Sequence, residues 1–225
     1  MNHTDSAPAI RARGLGRSFE TYEKPEGIWN SIRGIWNRKT ILKEALKPID
    51  LEIHPGQVVG LIGANGAGKT TLLKILSGLI HPTSGTAEVL GHVPWKREEG
   101  FLRRISILLG QKNQLWWDIP AADSFELLVN IYDLPMEKTR SRWRFLAEML
   151  NCEHVLTTQL RRLSLGERMK MEIIGSLLHD PEVLFLDEPT IGLDVVAQAT
   201  IRSFLGEYVK ERKPTVILKI GRAHV

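Results

Sequence analysis

Apolar and polar residues change period several times along this chain, and each change marks an element. Residues 9–19 and 45–53 have strand character, the second with alternating apolar positions Leu46, Ile49, Leu51 and Ile53. Pro55-Gly56 turns the chain into Val58-Val59-Gly60-Leu61-Ile62, a short apolar strand. Thr71 to Leu76 then takes a helical pattern. A Pro-Thr-Ser-Gly turn precedes a short strand at 86–90, and 104–109 is another apolar run. Between 122 and 179 the pattern is helical with few strand signals. Val183-Leu184-Phe185-Leu186 reads as a fully buried strand, 195–212 as a helix, and Thr215-Val216-Ile217-Leu218 as a last strand. Strands alternating with helices imply a mainly parallel sheet covered by helices on its faces. Residues 1–8 read as a disordered start.

Residues 20–44 fall outside that scheme. They hold an imperfect repeat, Gly27-Ile28-Trp29-Asn30 and Gly34-Ile35-Trp36-Asn37. Its period of seven places Ile28, Trp29, Ile32, Ile35 and Trp36 on one helical face, near Arg33, Arg38 and Lys39. Such a stripe fits either an amphipathic element against lipid or a membrane partner, or a helix packed on its own domain. The glycines weaken it as a free helix.

The strand at 58–62 and the helix at 71–76 enclose Gly63-Ala64-Asn65-Gly66-Ala67-Gly68-Lys69-Thr70, a complete phosphate-binding loop. Glycines let successive N–H groups point at one anion, and the helix N-terminus adds partial positive charge behind it. Gly63, Asn65, Gly66, Ala67, Gly68 and Thr71 are the candidate cradle. Lys69 reaches the β- and γ-phosphates, and the Thr70 hydroxyl ligates Mg²⁺. The predicted fold is therefore α/β of the P-loop NTPase (RecA-like) kind. It has a mainly parallel sheet, an N-terminal antiparallel β part and an inserted helical subdomain at 115–165. The buried strand at 183–186 ends in Asp187-Glu188-Pro189. Asp187 stands where a second carboxylate serves the metal, and Glu188, one residue on, where a general base polarises water.

The chain has 225 residues, 43% of them hydrophobic and 25% charged, with a formal net charge of +4. This is an ordinary globular composition, long enough to bury a core. Lys and Arg are scattered among acids, which argues against a nucleic-acid partner. The single cysteine, Cys152, excludes an internal disulfide, fits a reducing compartment and reads as a plain buried thiol. No secretory signal is legible at the start, and no apolar run approaches the ~20 residues of a membrane span. Any service to a membrane then runs from the cytoplasmic side through a partner.

Ser164 lies 23 residues before Asp187, in Leu163-Ser164-Leu165-Gly166-Glu167-Arg168. This segment resembles the signature loop of ATP-binding cassette (ABC) ATPases, one helix upstream of their acidic strand. The resemblance covers nearly the whole chain. It implies ATP and Mg²⁺ as ligands, with Ser164 and Gly166 contacting the γ-phosphate held by the P-loop of a second subunit. It therefore implies a homodimer or a paired ABC subunit. Ser164 with Glu167 at the third helical position also fits a capping box. By the same resemblance Gln111 is the Q-loop residue, touching Mg²⁺ or the attacking water. Leu193-Asp194 is the D-loop at the dimer interface. Phe19, with Tyr22 as the less favoured choice, stacks on adenine. Gly110 to Asp118, Leu163 to Lys170 and Glu188 to Asp194 resemble a bacterial exporter-type subgroup with separately encoded permeases. That implies a subunit powering transport from the cytoplasmic face of the inner membrane. Trp116-Trp117 lies where the permease docks, and fits an interface hot spot or a subdomain core equally.

The sequence departs from the family pattern in three places. Leu165 stands where Gly is usual and Glu167 where Gln is usual. At 221, where the switch histidine is expected, there is Gly221; His224 comes three residues late, roughly 10 Å along an extended chain. Ile220 to Val225 matches a common sequencing-library adaptor translated in one frame. The expectation is a native protein continuing past Leu218, a non-native tail over 220–225, Lys219 assignable to either part, and impaired hydrolysis in the chain as written. The alternatives are a nucleotide-binding regulatory subunit and a non-transport ABC ATPase.

Overall fold

The computed structural model describes residues 7–22, 40–110 and 113–219. Gln111, the Gly27–Asn37 repeat and the tail at 220–225 lie outside the described residues.

Two sheets form the frame. The first is antiparallel, with β1 (Ile10–Tyr22) flanked by β2 (Thr40–Ile53) and β4 (Ser84–Val89). The second is parallel, in the order β3 (Val58–Leu61), β7 (Thr215–Lys219), β6 (Val183–Asp187) and β5 (Ile105–Leu109). Among the described residues, five α-helices of eight residues or more accompany them: α1 (Lys69–Leu76), α3 (Ala121–Tyr132), α4 (Met136–Met149), α5 (Leu165–Leu177) and α6 (Val195–Arg212). A single turn, α2 (Glu99–Leu102), leads into β5.

The parallel sheet separates two apolar cores, and the strand period of two decides which residue enters which. Val183, Phe185 and Ile217 face a core shared with β1, β2, β4 and α1. Leu184, Leu186 and Val216 face a second core built by α3, α4, α5 and α6. Burial on both faces is why β6 reads as an unbroken apolar run rather than an alternation. In the second core Phe125 and Trp143 meet with ring centroids 5.7 Å apart. Cys152 is fully buried there, and burial pushes its thiol up to about 12.

Three boundaries correct the sequence-based expectation. Strands β1 and β2 continue into the 20–44 stretch, pairing Glu20 with Leu42, Thr21 with Ile41 and Tyr22 with Thr40. Residues 41–44 are all exposed, so the ladder continues where no burial alternation marks it. Strand β4 begins at Ser84, two residues ahead of the expected start, because Ser84 pairs with Gly16. Lys219 closes β7, paired to Leu61 on one side and Asp187 on the other.

Candidate functional site

Ligands of open parallel sheets bind outside the carboxyl ends of the strands. Here β3, β7 and β6 end side by side at Leu61, Lys219 and Asp187. The loop 62–68 leaves β3 and enters α1 with Gly68 at φ +85. A Cβ on Gly68 would sit 2.7 Å from the Ala45 carbonyl oxygen, so only glycine fits between the loop and β2. No side chain caps α1 and no acid stands in its first turn, which leaves its N-terminal N–H groups for an anion. Gly63 to Ala67 are exposed. Lys69 folds back on its own loop, its ammonium donating to the Gly63 (2.6 Å) and Ala64 (2.8 Å) carbonyls.

The acids stand opposite. Lys219 Nζ lies 2.8 Å from Asp187 Oδ1 and 3.2 Å from Glu188 Oε1, and donates to Thr70 Oγ1 at 2.9 Å. Burial pulls the Lys219 ammonium down, but the Asp187 and Glu188 carboxylates outweigh it and hold it above the ordinary lysine value. Asp187 Oδ1 is buried and meets no well-aligned donor among the described residues. Thr70 and Asp187 thus aim two hard oxygens at one cation position, as Mg²⁺ requires. Among the described residues no group of three or more His, Cys, Asp and Glu could hold a metal.

Glu188 takes a left-handed backbone, φ 52, just past the strand. Gly110 packs behind it: its N–H donates to the Asp187 carbonyl at 3.0 Å, and a Cβ would come within 2.4 Å of the Glu188 carbonyl oxygen.

Residues 46–191 match the profile of the ABC transporter family. The chain belongs to the ABC transporter family. It is an ATPase subunit of that family, the part that binds ATP and hydrolyses it to drive transport. The ABC transporter ATP-binding protein NatA of Bacillus subtilis is 30% identical over 181 residues, 80% of this chain and 73% of NatA. The daunorubicin resistance ATP-binding protein DrrA3 of Streptomyces coeruleorubidus is 38% identical over 168 residues, 73% of this chain. The chain spans only 53% of DrrA3. Among solved structures, cbiO1 of Clostridium perfringens, part of the ABC transporter complex cbiONQ, superposes with a TM-score of 0.73. It is 26% identical, and the match covers 96% of this chain and 80% of cbiO1.

Ser164, Gly166 and Asp194 lie together where the start of α5 meets the start of α6. Ser164 caps α5: its Oγ accepts from Glu167 N–H (3.2 Å) and donates to Glu167 Oε2 (2.7 Å), and its own N–H donates to the same carboxylate (2.9 Å). The Ser164 hydroxyl and amide hold the Glu167 carboxyl below its ordinary range. Gly166 abuts α6, where a Cβ would meet that of Ala197 at 3.0 Å. Asp194 caps α6 by accepting from Ala197 N–H at 2.9 Å, and Leu193 is buried. Among the described residues no hydrogen bond or ion pair joins Ser164 or Gly166 to the P-loop. Phe19 is partly exposed on β1, with the Arg17 guanidinium 4.5 Å over its ring.

Sequence reasoning missed three residues of this ABC site. Lys219 was legible only as a strand end or a tail. Gly110 was one glycine beside a motif. Glu172 lies on the buried face of α5 and accepts from the N–H groups of Gln114 (3.0 Å) and Leu115 (3.3 Å), tying α5 to the loop that follows Gln111. A charged residue within an apolar helical face was its one signal.

Proposed function

We propose that this chain is the nucleotide-driven motor of an exporter. Two cassettes, two copies of this chain or this chain and a related subunit, close on ATP and pull on a separately encoded permease. One observation supports this above others: Thr70, Asp187 and Glu188 converge at the sheet edge beside the P-loop. Gly63, Asn65, Gly66, Ala67, Gly68 and Thr71 cradle the phosphates through backbone N–H groups. Lys69 exchanges the Gly63 and Ala64 carbonyls for β- and γ-phosphate oxygens. Thr70, Asp187 and Gln111 would hold Mg²⁺, which when bound supplies charge neutralisation at the phosphates. Glu188 accepts the proton of the attacking water, oriented with Gln111. Phe19 stacks on adenine, and Ser164 and Gly166 meet the γ-phosphate bound by the other cassette.

The likeness to DrrA3, a daunorubicin resistance ATP-binding protein, favours export as the direction. No helix among the described residues is long and apolar enough to cross a membrane. In this proposal the chain sits at the cytoplasmic face of the inner membrane, held by its permease, with no nucleic-acid partner. Trp116 and Trp117 favour the docking role over a core role. They are 42% and 41% exposed, and the Arg168 guanidinium lies 4.9 Å over the Trp117 ring.

Glu188→Gln tests the reading. Turnover should fall by about 10²-fold or more, the usual range for a lost general base, while ATP drives the protein to dimer size in gel filtration. Full turnover in that variant would remove Glu188 from the role of base.

A further inference from the structure

We propose that Glu167 is a positioning residue that restrains closure of the cassette pair: its carboxylate holds both donors of Ser164 and sets a negative charge beside the phosphate that Ser164 is to meet. The inference rests on the reading above in which Ser164 contacts the γ-phosphate bound by the other cassette.

The contacts at the start of α5 carry the argument. Ser164 has two hydrogen-bond donors, its N–H and its hydroxyl. Both end on one atom, Glu167 Oε2, at 2.9 and 2.7 Å. Ser164 Oγ in turn accepts from the Glu167 N–H at 3.2 Å, so the hydroxyl has no second proton to offer. An ionised phosphate oxygen only accepts. To bond it, Ser164 must give up a charge-assisted hydrogen bond, roughly twice as strong as a neutral one. A phosphate oxygen within reach of the same hydroxyl lies no more than about 5.5 Å from Glu167 Oε2, and like charges at that separation repel. The Glu167 side chain is 31% exposed, so water screens this charge only in part. Its ion-pair partner among the described residues is His154, whose Nε2 lies 3.7 Å from Glu167 Oε1. That side chain is 69% exposed and is charged only when protonated. The Gln that the family pattern usually has here would accept from both Ser164 donors through its one oxygen and bring no charge. The acid in its place keeps the cap and makes closure on ATP harder.

Sedimentation velocity of the full chain in Mg²⁺-ATP tests this, with Glu188→Gln as the common background so that ATP persists. Adding Glu167→Gln should lower the dimer dissociation constant by about tenfold or more, since a dimer contains two such contacts. Glu167→Asp, which keeps the charge, should bring no tightening. His154→Lys is a second variant, made at an exposed position, should the Gln variant not fold. Its permanent cation beside Glu167 should tighten closure in the same direction. A side chain that only caps α5 gives no tightening in Glu167→Gln, so an equal or weaker dimer there overturns the proposal and leaves the Ser164 contact standing. Ser164→Ala separates the two levels. Weakened dimerisation in that variant keeps the Ser164 contact, and unchanged dimerisation overturns that contact together with the inference.

Discussion

Glu172 illustrates how one side chain carries both structure and pH dependence. Its carboxylate is almost fully buried on α5 and satisfied by two backbone N–H groups from the loop after Gln111. Burial raises its pKa, and the amides and Arg168 only partly offset this. Below the ordinary glutamate value of about 4.3 the group is neutral in both folded and unfolded chain. As pH rises through the elevated folded value, the folded chain must ionise a buried acid, and the associated stability is lost. Glu172→Gln lacks that loss. Urea midpoints measured between pH 4 and 8 should therefore move in favour of the variant as pH rises, and parallel profiles would contradict the assignment. Glu188 shows a different residue-scale device. Its left-handed backbone turns the carboxylate off the strand toward Lys219, and Gly110 leaves the room this needs.

At the scale of elements, the N-termini of α1 and α5 are treated oppositely. Helix α1 has no side-chain cap, so its free N–H groups remain for phosphate. Helix α5 has a complete capping box, and Ser164 spends both its hydroxyl and its amide on Glu167. Any second ligand of the Ser164 hydroxyl proton must therefore take it from a carboxylate. Ser164→Ala removes the cap and should cost about 1 kcal/mol by chemical denaturation. For a chain of this length that is a fall in Tm of about 2–4 °C. An unchanged Tm would mean that Glu167 alone holds the turn.

Over the whole molecule, one parallel sheet serves two cores and presents its carboxyl edge to the nucleotide. Strand β6 contributes alternate residues to both cores and carries Asp187 at its end. ATP at a hundred times its Kd should add about 2.7 kcal/mol of stability. That corresponds to a rise in Tm of about 5–10 °C. Differential scanning fluorimetry reads it directly, and a flat response to ATP would contradict nucleotide binding at this edge.

Elements whose chemistry is local are legible in the order of residues alone. The P-loop needs its glycines, Lys69 and Thr70 consecutively, and β6 announces itself because burial on both faces demands an apolar run before Asp187. The capping box at Ser164 and the helix at 195–212 were equally readable, since caps and helical periods are set by residues within a few positions. The remaining features depend on residues far apart in the chain. The outer pairing of β1 with β2 is carried by backbone hydrogen bonds between exposed residues, which leave no apolar period. The Glu172 clamp joins positions 58 residues apart. The site of Lys219 depends on strand order: only because β7 lies between β3 and β6 does one ammonium meet Thr70, Asp187 and Glu188 together. Sequence spacing fixes contacts made along the chain, whereas the order of strands in a sheet is fixed by packing.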